Sequence, residues 1–331
     1  MVTIIDIAKR CGVSTATVSY ALNGKGNISD EMRSLIQQTA SDMGYIPNQA
    51  ARNLQKGKSN LIGVIIPNLT VFFSNQVFSY IEKELAKRGL SVMVGCLSGK
   101  TTALELFEKI VAQKPLGIIC FSSGDWTEET LLAMDKIVAG NSISTVVTLC
   151  QGQARHLKFL DWDIATGVEK ITEYLFNKGI EDVFFFGNSI SKEEPYTRVK
   201  YEGYLRAYEK RGLSAPDFLC DMGDTYEEAY QYTLSYIENK NRLPRAIVAA
   251  NDIAGYGIVS ALKEKGVKVP QQVCVVGVDG IRFDYAKYKL TTVTPDLKVL
   301  AKKCVDMICR FDEYENGIYT LENQIVEGST S

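Results

Sequence analysis

The chain has 331 residues, 46 % of them hydrophobic and 23 % charged, with a formal net charge of −2. That balance belongs to a soluble globular protein of roughly two or three domains, and it excludes disorder and fibrous repeats. No run of about 18 apolar residues is present to cross a membrane, so no membrane partner is expected. The chain does not open with a basic segment followed by a long apolar one, and a cytoplasmic protein is therefore expected.

The eight cysteines are scattered, with Cys304 and Cys309 the closest pair, and they read as buried free thiols of a reducing compartment. The single histidine, His156, makes a histidine-ligated metal site or a nucleophilic triad a poor reading. No GxSxG, Walker or GxGxxG pattern occurs, so neither enzyme activity nor a cofactor is expected. Residues 1–58 hold seven Lys/Arg against four Asp/Glu, a net of +3, which leaves −5 on the remainder. A small basic module on an acidic body suits contact with a polyanion through one end only.

The first elements predicted are short helices with clear punctuation. Thr3-Ile4-Ile5-Asp6 has the form of a capping box, with an acid in the last position, and opens a helix through Cys11. Gly12-Val13-Ser14 is a three-residue turn. Ser14 then caps a second helix over 15–22, with Val18, Ala21 and Leu22 on one face. Residues 23–26 are loop. Ser29 caps a third helix that carries Asp30 and Glu31 in its first turn, where the helix dipole favours acids. Met32, Leu35, Ile36 and Met43 form its inner stripe, and Gly44 stops it. Helix, glycine turn, short helix is the helix-turn-helix arrangement, whose second helix lies in the major groove of DNA and shows its first residues to base edges. Here those residues are Thr15, Ala16, Thr17, Ser19 and Tyr20, small or polar groups. The pattern taken alone would equally serve a helical hairpin used for packing.

The wording of the segment is more specific. Asp6-Ile7-Ala8, Gly12-Val13-Ser14, Ala16-Thr17-Val18-Ser19 and Ala21-Leu22-Asn23-Gly24 run in order, followed by Gly44-Tyr45-Ile46-Pro47-Asn48 and Ala50-Ala51-Arg52-Asn53-Leu54. This closely resembles the lactose-repressor (LacI/GalR) family of bacterial transcription regulators, nearly continuously over residues 3–66. The resemblance implies major-groove reading by Thr15, Ala16 and Tyr20, and phosphate anchoring by Thr3, Ser14, Thr17, Asn23 and Ser29. Ser19, Tyr45, Asn48 and Ala51 complete the expected DNA-contacting set. One departure is Tyr20, where the family commonly has an arginine able to pair bidentately with guanine. A different preferred operator is therefore expected.

Residues 48–57 could form about two helical turns, capped by Asn48 and ended by Gly57, too short to be stable in isolation. In the resembled family this hinge helix pairs with its dimer mate in the minor groove. The residue matching Leu54 there wedges between base steps and kinks the duplex.

From Leu61 the period changes. Strands are predicted at 61–66, 90–96, 116–121, 144–149, 183–187, 246–250 and 273–278. Helical stretches lie at 71–88, 101–113, 127–139, 166–178, 197–211, 226–239, 252–265 and 296–311. Such alternation means parallel sheets flanked by helices, with ligands bound beyond the carboxyl ends of the strands. The fold class expected is an all-α helix-turn-helix headpiece with a hinge helix, then a two-lobed α/β domain. The resemblance implies that this domain has the type I periplasmic-binding-protein fold. The boundaries expected are 1–47 for the headpiece, 48–58 for the hinge and 59–331 for the effector-binding and dimerisation domain. Lobe 1 would take 59–160 plus 292–320, and lobe 2 161–291 plus 321–331. The chain would cross between lobes near 160–163, 288–293 and 319–324.

Cleft candidates come from loops after strands. Phe72 and Phe73 could stack on a sugar or base face. Asn251 offers both donors and an acceptor, while Asp252 suits a cap on the next helix, and Asp279 suits bidentate bonding to adjacent hydroxyls. These positions match the family's effector contacts, as does Asp163. Lys200 stands where relatives usually have an arginine, and lysine is a point charge rather than a planar fork; Arg198 is a substitute candidate. Tyr226 is the nearest replacement for a displaced stacking aromatic. The expectation is a dimeric regulator, most simply a repressor, that binds a pseudo-palindromic DNA operator as a homodimer. Its effector would be a small molecule, a sugar or sugar phosphate by family frequency. The alternatives are control by a protein coregulator or a purine-like corepressor, and, in a different class, an α/β enzyme or solute-binding protein.

Overall fold

The computed structural model of the chain describes residues 2–46, 59–68, 71–97, 101–121, 126–150, 152, 154–188, 195–216, 220–239, 242–283 and 287–331. It divides into two compact units, Met1–Ser59 and Asn60–Ser331. The expected hinge helix, with Asn48, Ala51 and Leu54, lies outside the described residues.

The first unit contains α1 (Ile4–Cys11), α2 (Thr15–Leu22) and α3 (Asp30–Asp42). The capping box is complete: Asp6 N donates to Thr3 Oγ1 at 3.4 Å, and Thr3 N donates to Asp6 Oδ2 at 2.9 Å. Hydrogen bonds from the Thr3 side chain and backbone hold the Asp6 carboxyl below its ordinary value. Gly12 ends α1 at φ +67, a left-handed conformation that favours glycine. Ile7, Ala8, Val18, Ala21, Ile36 and Ala40 form the small core. Leu35 departs from the expected inner stripe and is 51 % exposed. It lies about 100° round the helix from Ile36, and only Ile36 faces the other two helices.

The second unit holds two sheets. The first is built from β1 (Leu61–Ile66), β2 (Ser91–Cys96), β3 (Gly117–Phe121), β4 (Ser144–Thr148), β5 (Leu157–Asp161) and β10 (Ile318–Thr320), in the order β10-β5-β4-β3-β1-β2, every pair parallel. The second comprises β6 (Val183–Phe186), β7 (Ala246–Ala249), β8 (Cys274–Val278), β9 (Thr291–Pro295) and β11 (Asn323–Val326), in the order β11-β9-β8-β7-β6. Only the β11–β9 pair there is antiparallel. Helices connect the strands: α4 (Phe72–Ala86), α5 (Ala103–Val111), α6 (Glu128–Asn141), α7 (Ile164–Asn177), α8 (Pro195–Lys210), α9 (Tyr226–Glu238), α10 (Asp252–Glu264) and α11 (Leu297–Cys309). Separate apolar clusters lie on the two faces of each sheet, as parallel sheets covered on both sides require.

The chain passes between the sheets at three places, and the middle one differs from expectation. β5 leads through Trp162 and Asp163 into α7, and β10 leads to β11 through Leu321 and Glu322. The middle passage lies at Asp296, because residues 291–295 pair with β8 in the second sheet instead of joining lobe 1. Asp296 caps α11 there, accepting from Lys298 N and Val299 N. The cysteines also differ in part from expectation. Cys120, Cys220, Cys274 and Cys304 are buried, Cys11, Cys96 and Cys150 are half-buried, and Cys309 is exposed.

Helices α7 and α8 pack closely because Gly203 has no side chain. A Cβ built there falls 2.1 Å from the carbonyl oxygen of Ala165. Gly203→Ala is therefore expected to destabilise the unit. The overlap exceeds the roughly 1 kcal/mol that alanine otherwise gains in a helix, for a net loss of about 1–2 kcal/mol. Thermal unfolding checks this, the midpoint falling by about 2–6 °C.

Candidate functional site

The described residues present one candidate site on each unit. On the first, Ser14 begins α2 by accepting from Thr17 N at 3.1 Å, and its hydroxyl meets that of Thr17 at 2.8 Å. Thr15, Ala16 and Tyr20 are exposed along the helix, whereas Thr17 and Ser19 are half-buried. Asn23 closes α2 by donating to Ser19 O at 2.8 Å, and Ser29 opens α3 by accepting from Met32 N at 3.3 Å. Thr3, Ser14, Asn23 and Ser29 thus act as caps while remaining on the surface. Tyr45 is half-buried against the helical core. Arg33, which the sequence reading passed over, donates to Ala21 O at 3.4 Å and Gly26 O at 3.3 Å, fixing the loop after α2. A basic residue early in a helix that follows a glycine loop was the available signal.

On the second unit, the polar residues gather at the carboxyl ends of β7 and β8. Lys200, buried on α8, donates to Ala250 O at 2.6 Å and stands 3.6 Å from Asp279 Oδ1. Burial pushes the Asp279 carboxyl above its ordinary value, against the pull of Lys200. Asp279 has φ +108, a conformation costly for any residue but glycine. Its N–H donates to Val293 O at 3.0 Å, and its carbonyl accepts from Thr294 Oγ1 at 3.1 Å. The next two amides are held as well, Gly280 N by Thr292 Oγ1 at 3.2 Å and Ile281 N by Asp252 Oδ2 at 2.6 Å.

The cap expected at Asp252 is supplied by its neighbour Asn251. Asn251 is the cap of α10, accepting from Ala254 N at 2.8 Å, and its amide donates to Asp224 O at 2.9 Å. Asp252 is fully buried, and its Oδ1 has no hydrogen-bond partner among the described residues. Burial pushes its carboxyl well above the ordinary value, and the nearby Asp279 charge adds to the effect. Gly277 leaves the space it occupies, since a Cβ there would fall 2.2 Å from Asp252 Oδ1.

The other expected ligand residues are dispersed. Asp163 caps α7, its two oxygens accepting from Thr166 N at 3.1 Å and Thr166 Oγ1 at 2.6 Å. Arg198 is half-exposed and lies 3.9 Å from Glu202. It cannot substitute for Lys200, because two positions along a helix turn the side chain by about 200°. Phe73 is buried against Trp162 at 5.3 Å between ring centres, in the core and not on a ligand surface. Phe72 and Tyr226 do line one hollow, of about 360 Å³, together with Tyr256, Phe283, Lys287 and Tyr288. There the Phe72 ring meets Phe283 edge-on at 5.5 Å.

Residues 3–48 match the family described as bacterial regulatory proteins, lacI family, and residues 172–317 match the periplasmic binding protein-like domain. The first unit thus carries the lacI-family regulatory domain. Among curated relatives, the HTH-type transcriptional repressor PurR of Pasteurella multocida is 25 % identical over 310 residues, covering 93 % of this chain and 91 % of that protein. Catabolite control protein A of Staphylococcus aureus is 28 % identical over 284 residues, covering 85 % of this chain and 83 % of that one. The fold matches the lac repressor dimer bound to operator and the anti-inducer ONPF with a TM-score of 0.82, at 21 % identity, over 99 % of this chain and 98 % of that one. The chain is thus a LacI-family helix-turn-helix domain followed by a periplasmic-binding-protein-like domain.

The buried acid gives a pH-dependent expectation. An unfolded aspartate titrates near pH 3.9, and in the folded unit the Asp252 carboxyl titrates well above that. Its contribution to stability is therefore greatest at low pH and declines as pH rises from about 4 toward the folded value. Asp252→Asn removes that decline. The unfolding midpoint of the variant relative to the parent should rise as pH is raised above about 4. A difference constant with pH in thermal melts would contradict this assignment.

Proposed function

We infer that the protein is a transcriptional repressor, not an enzyme, that acts in the cytoplasm and binds a pseudo-palindromic operator as a homodimer. A small molecule lodged between the lobes controls it. In this reading residues 1–47 read DNA, 48–58 form a hinge and 59–331 bind effector and dimerise. The observation that carries the reading is the polar group at the ends of β7 and β8. A carboxylate in a costly backbone conformation is held in place beside a buried lysine, on a unit that shares its chain with a helix-turn-helix domain. Strained residues of this kind gather at ligand sites.

A sugar or sugar phosphate is the proposed effector. Asp279 offers acceptors to adjacent hydroxyls, Asn251 a donor and an acceptor, and Lys200 a positive charge. The ligand needs different affinity for the two lobe arrangements, and a coupling of about 1–3 kcal/mol changes operator affinity about 5- to 150-fold. The lac repressor dimer was solved on its operator with a small molecule bound, and that arrangement supports the dimeric, ligand-controlled reading for this chain. A thermal-shift screen of the full chain against sugars, sugar phosphates and nucleobases tests the effector, since a ligand bound only by the folded state raises the midpoint.

Two variants follow. Asp279→Ala should abolish the operator-release or operator-binding response to whichever compound scores in the screen, with basal operator affinity unchanged in gel shifts. An unaltered dose–response would remove Asp279 from the effector site. Leu54→Ala should weaken specific operator binding by about tenfold or more, the worth of burying one leucine side chain, while thermal unfolding stays as in the parent. Equal gel-shift affinity would overturn the hinge assignment.

A further inference from the structure

We propose that the half-site read by this protein is recognised through thymine 5-methyl groups, contacted by the methyls of Thr15 and Ala16 and the ring of Tyr20. This rests on the reading of the first unit as a DNA reader and goes beyond it in naming the bases. The major-groove code assigns guanine to Arg or Lys, adenine to Asn or Gln, the cytosine amine to Asp or Glu, and the thymine methyl to apolar groups such as Ala and the Thr methyl, while Ser and Thr hydroxyls bond base edges without choosing one base. Helix α2 reads Thr-Ala-Thr-Val-Ser-Tyr-Ala-Leu and contains no member of the first three sets. What it exposes is the methyls of Thr15 and Ala16 and, one turn later, the ring of Tyr20 at 52 % exposure, with the Thr15 and Tyr20 hydroxyls as its polar groups there. The Thr17 hydroxyl is engaged at the helix start with Ser14, and Val18 and Ala21 are buried.

Tyr20 is held in place for this task. A Cβ built on Gly26 would fall 3.1 Å from Tyr20 Cγ, so the ring lies against the bare glycine backbone, where φ is +76. Lys25 N donates to Tyr20 O at 2.9 Å. Arg33 spends its guanidinium on the carbonyls of Ala21 and Gly26, which keeps the loop under the ring. The Arg33 cation is thereby used to position an aromatic group. Ala16 and Tyr20 are about 6 Å apart along the helix axis. The thymines they meet therefore lie within about two base steps at roughly 3.4 Å each.

The first arm of the test uses the full chain and modified DNA, so it needs no variant. Duplexes are selected from a random pool, and each thymine of the enriched half-site is replaced by deoxyuridine, which removes only the methyl. Affinity should fall about fourfold for each contacted methyl, the worth of one buried methyl group. Replacing guanines of the half-site by 7-deazaguanine should leave affinity unchanged. In a second arm, Tyr20→Arg should select guanine at the position where the parent selects thymine. Enriched operators that bind equally well with deoxyuridine, or a parent half-site with guanine facing Tyr20, would overturn the thymine reading while leaving the DNA-reading assignment standing. Failure to enrich any duplex over random competitor would overturn both.

Discussion

The second unit is organised around an aspartate that its backbone would rather not accommodate. At φ +108, Asp279 costs about 1–3 kcal/mol relative to a relaxed residue, and the surrounding bonds meet that cost. Val293, Thr292 and Thr294 on the neighbouring strand β9 hold the turn from one side, and Asp252 holds it from the other. Lys200 supplies the charge that a carboxylate removed from water requires. If β9 lay in the other sheet, three of these contacts would vanish. The place of residues 291–295 in the second sheet is therefore a requirement of the site as well as a detail of topology.

The same turn extends into the contact between the lobes. Two residues beyond Asp279, Ile281 is buried among side chains of the first sheet's core, and Phe283 meets Phe72 at the start of α4. Asp252 grips the amide of Ile281 between these points. A rearrangement at the Asp279 carboxylate would thus be felt within a few residues by groups packed against the opposite lobe. Trp162 stands at a second junction, where the chain leaves β5, with its ring tilted against Phe73. Ordinary packing and hydrogen bonds thus connect the carboxylate to the junction between the lobes, and close-packed interiors transmit small shifts well.

The first unit works at a smaller scale. Its core is six buried residues, three of them alanine, so hydrophobic burial alone leaves it marginal. Side-chain caps at Thr3, Ser14 and Ser29 satisfy the first amides of each helix, at about 1 kcal/mol apiece. Because each cap sits where a helix meets solvent, the groups that stabilise the fold also form its outward polar surface. Arg33 adds a tie between elements, joining α3 to the loop after α2.

Much of this was legible in the residues. The capping box at Thr3, the glycine stops and the change from helical to strand periodicity at Leu61 depend on partners within about four positions, so local chemistry determined them. The seven strands and eight helices expected in the second unit stand at nearly the expected places. Thr291–Pro295, Leu157–Asp161, Ile318–Thr320 and Asn323–Val326 were not anticipated as strands. The first two give no alternating pattern, because both faces are buried, and the last two are only three and four residues long. Arg198 against Lys200, Phe73 against Phe72 and Asp252 against Asn251 were choices between close neighbours with like chemistry. Tertiary packing alone decided them, because a step of one or two residues along a helix turns the side chain by about 100° or 200°, and only the opposing elements define which direction is inward.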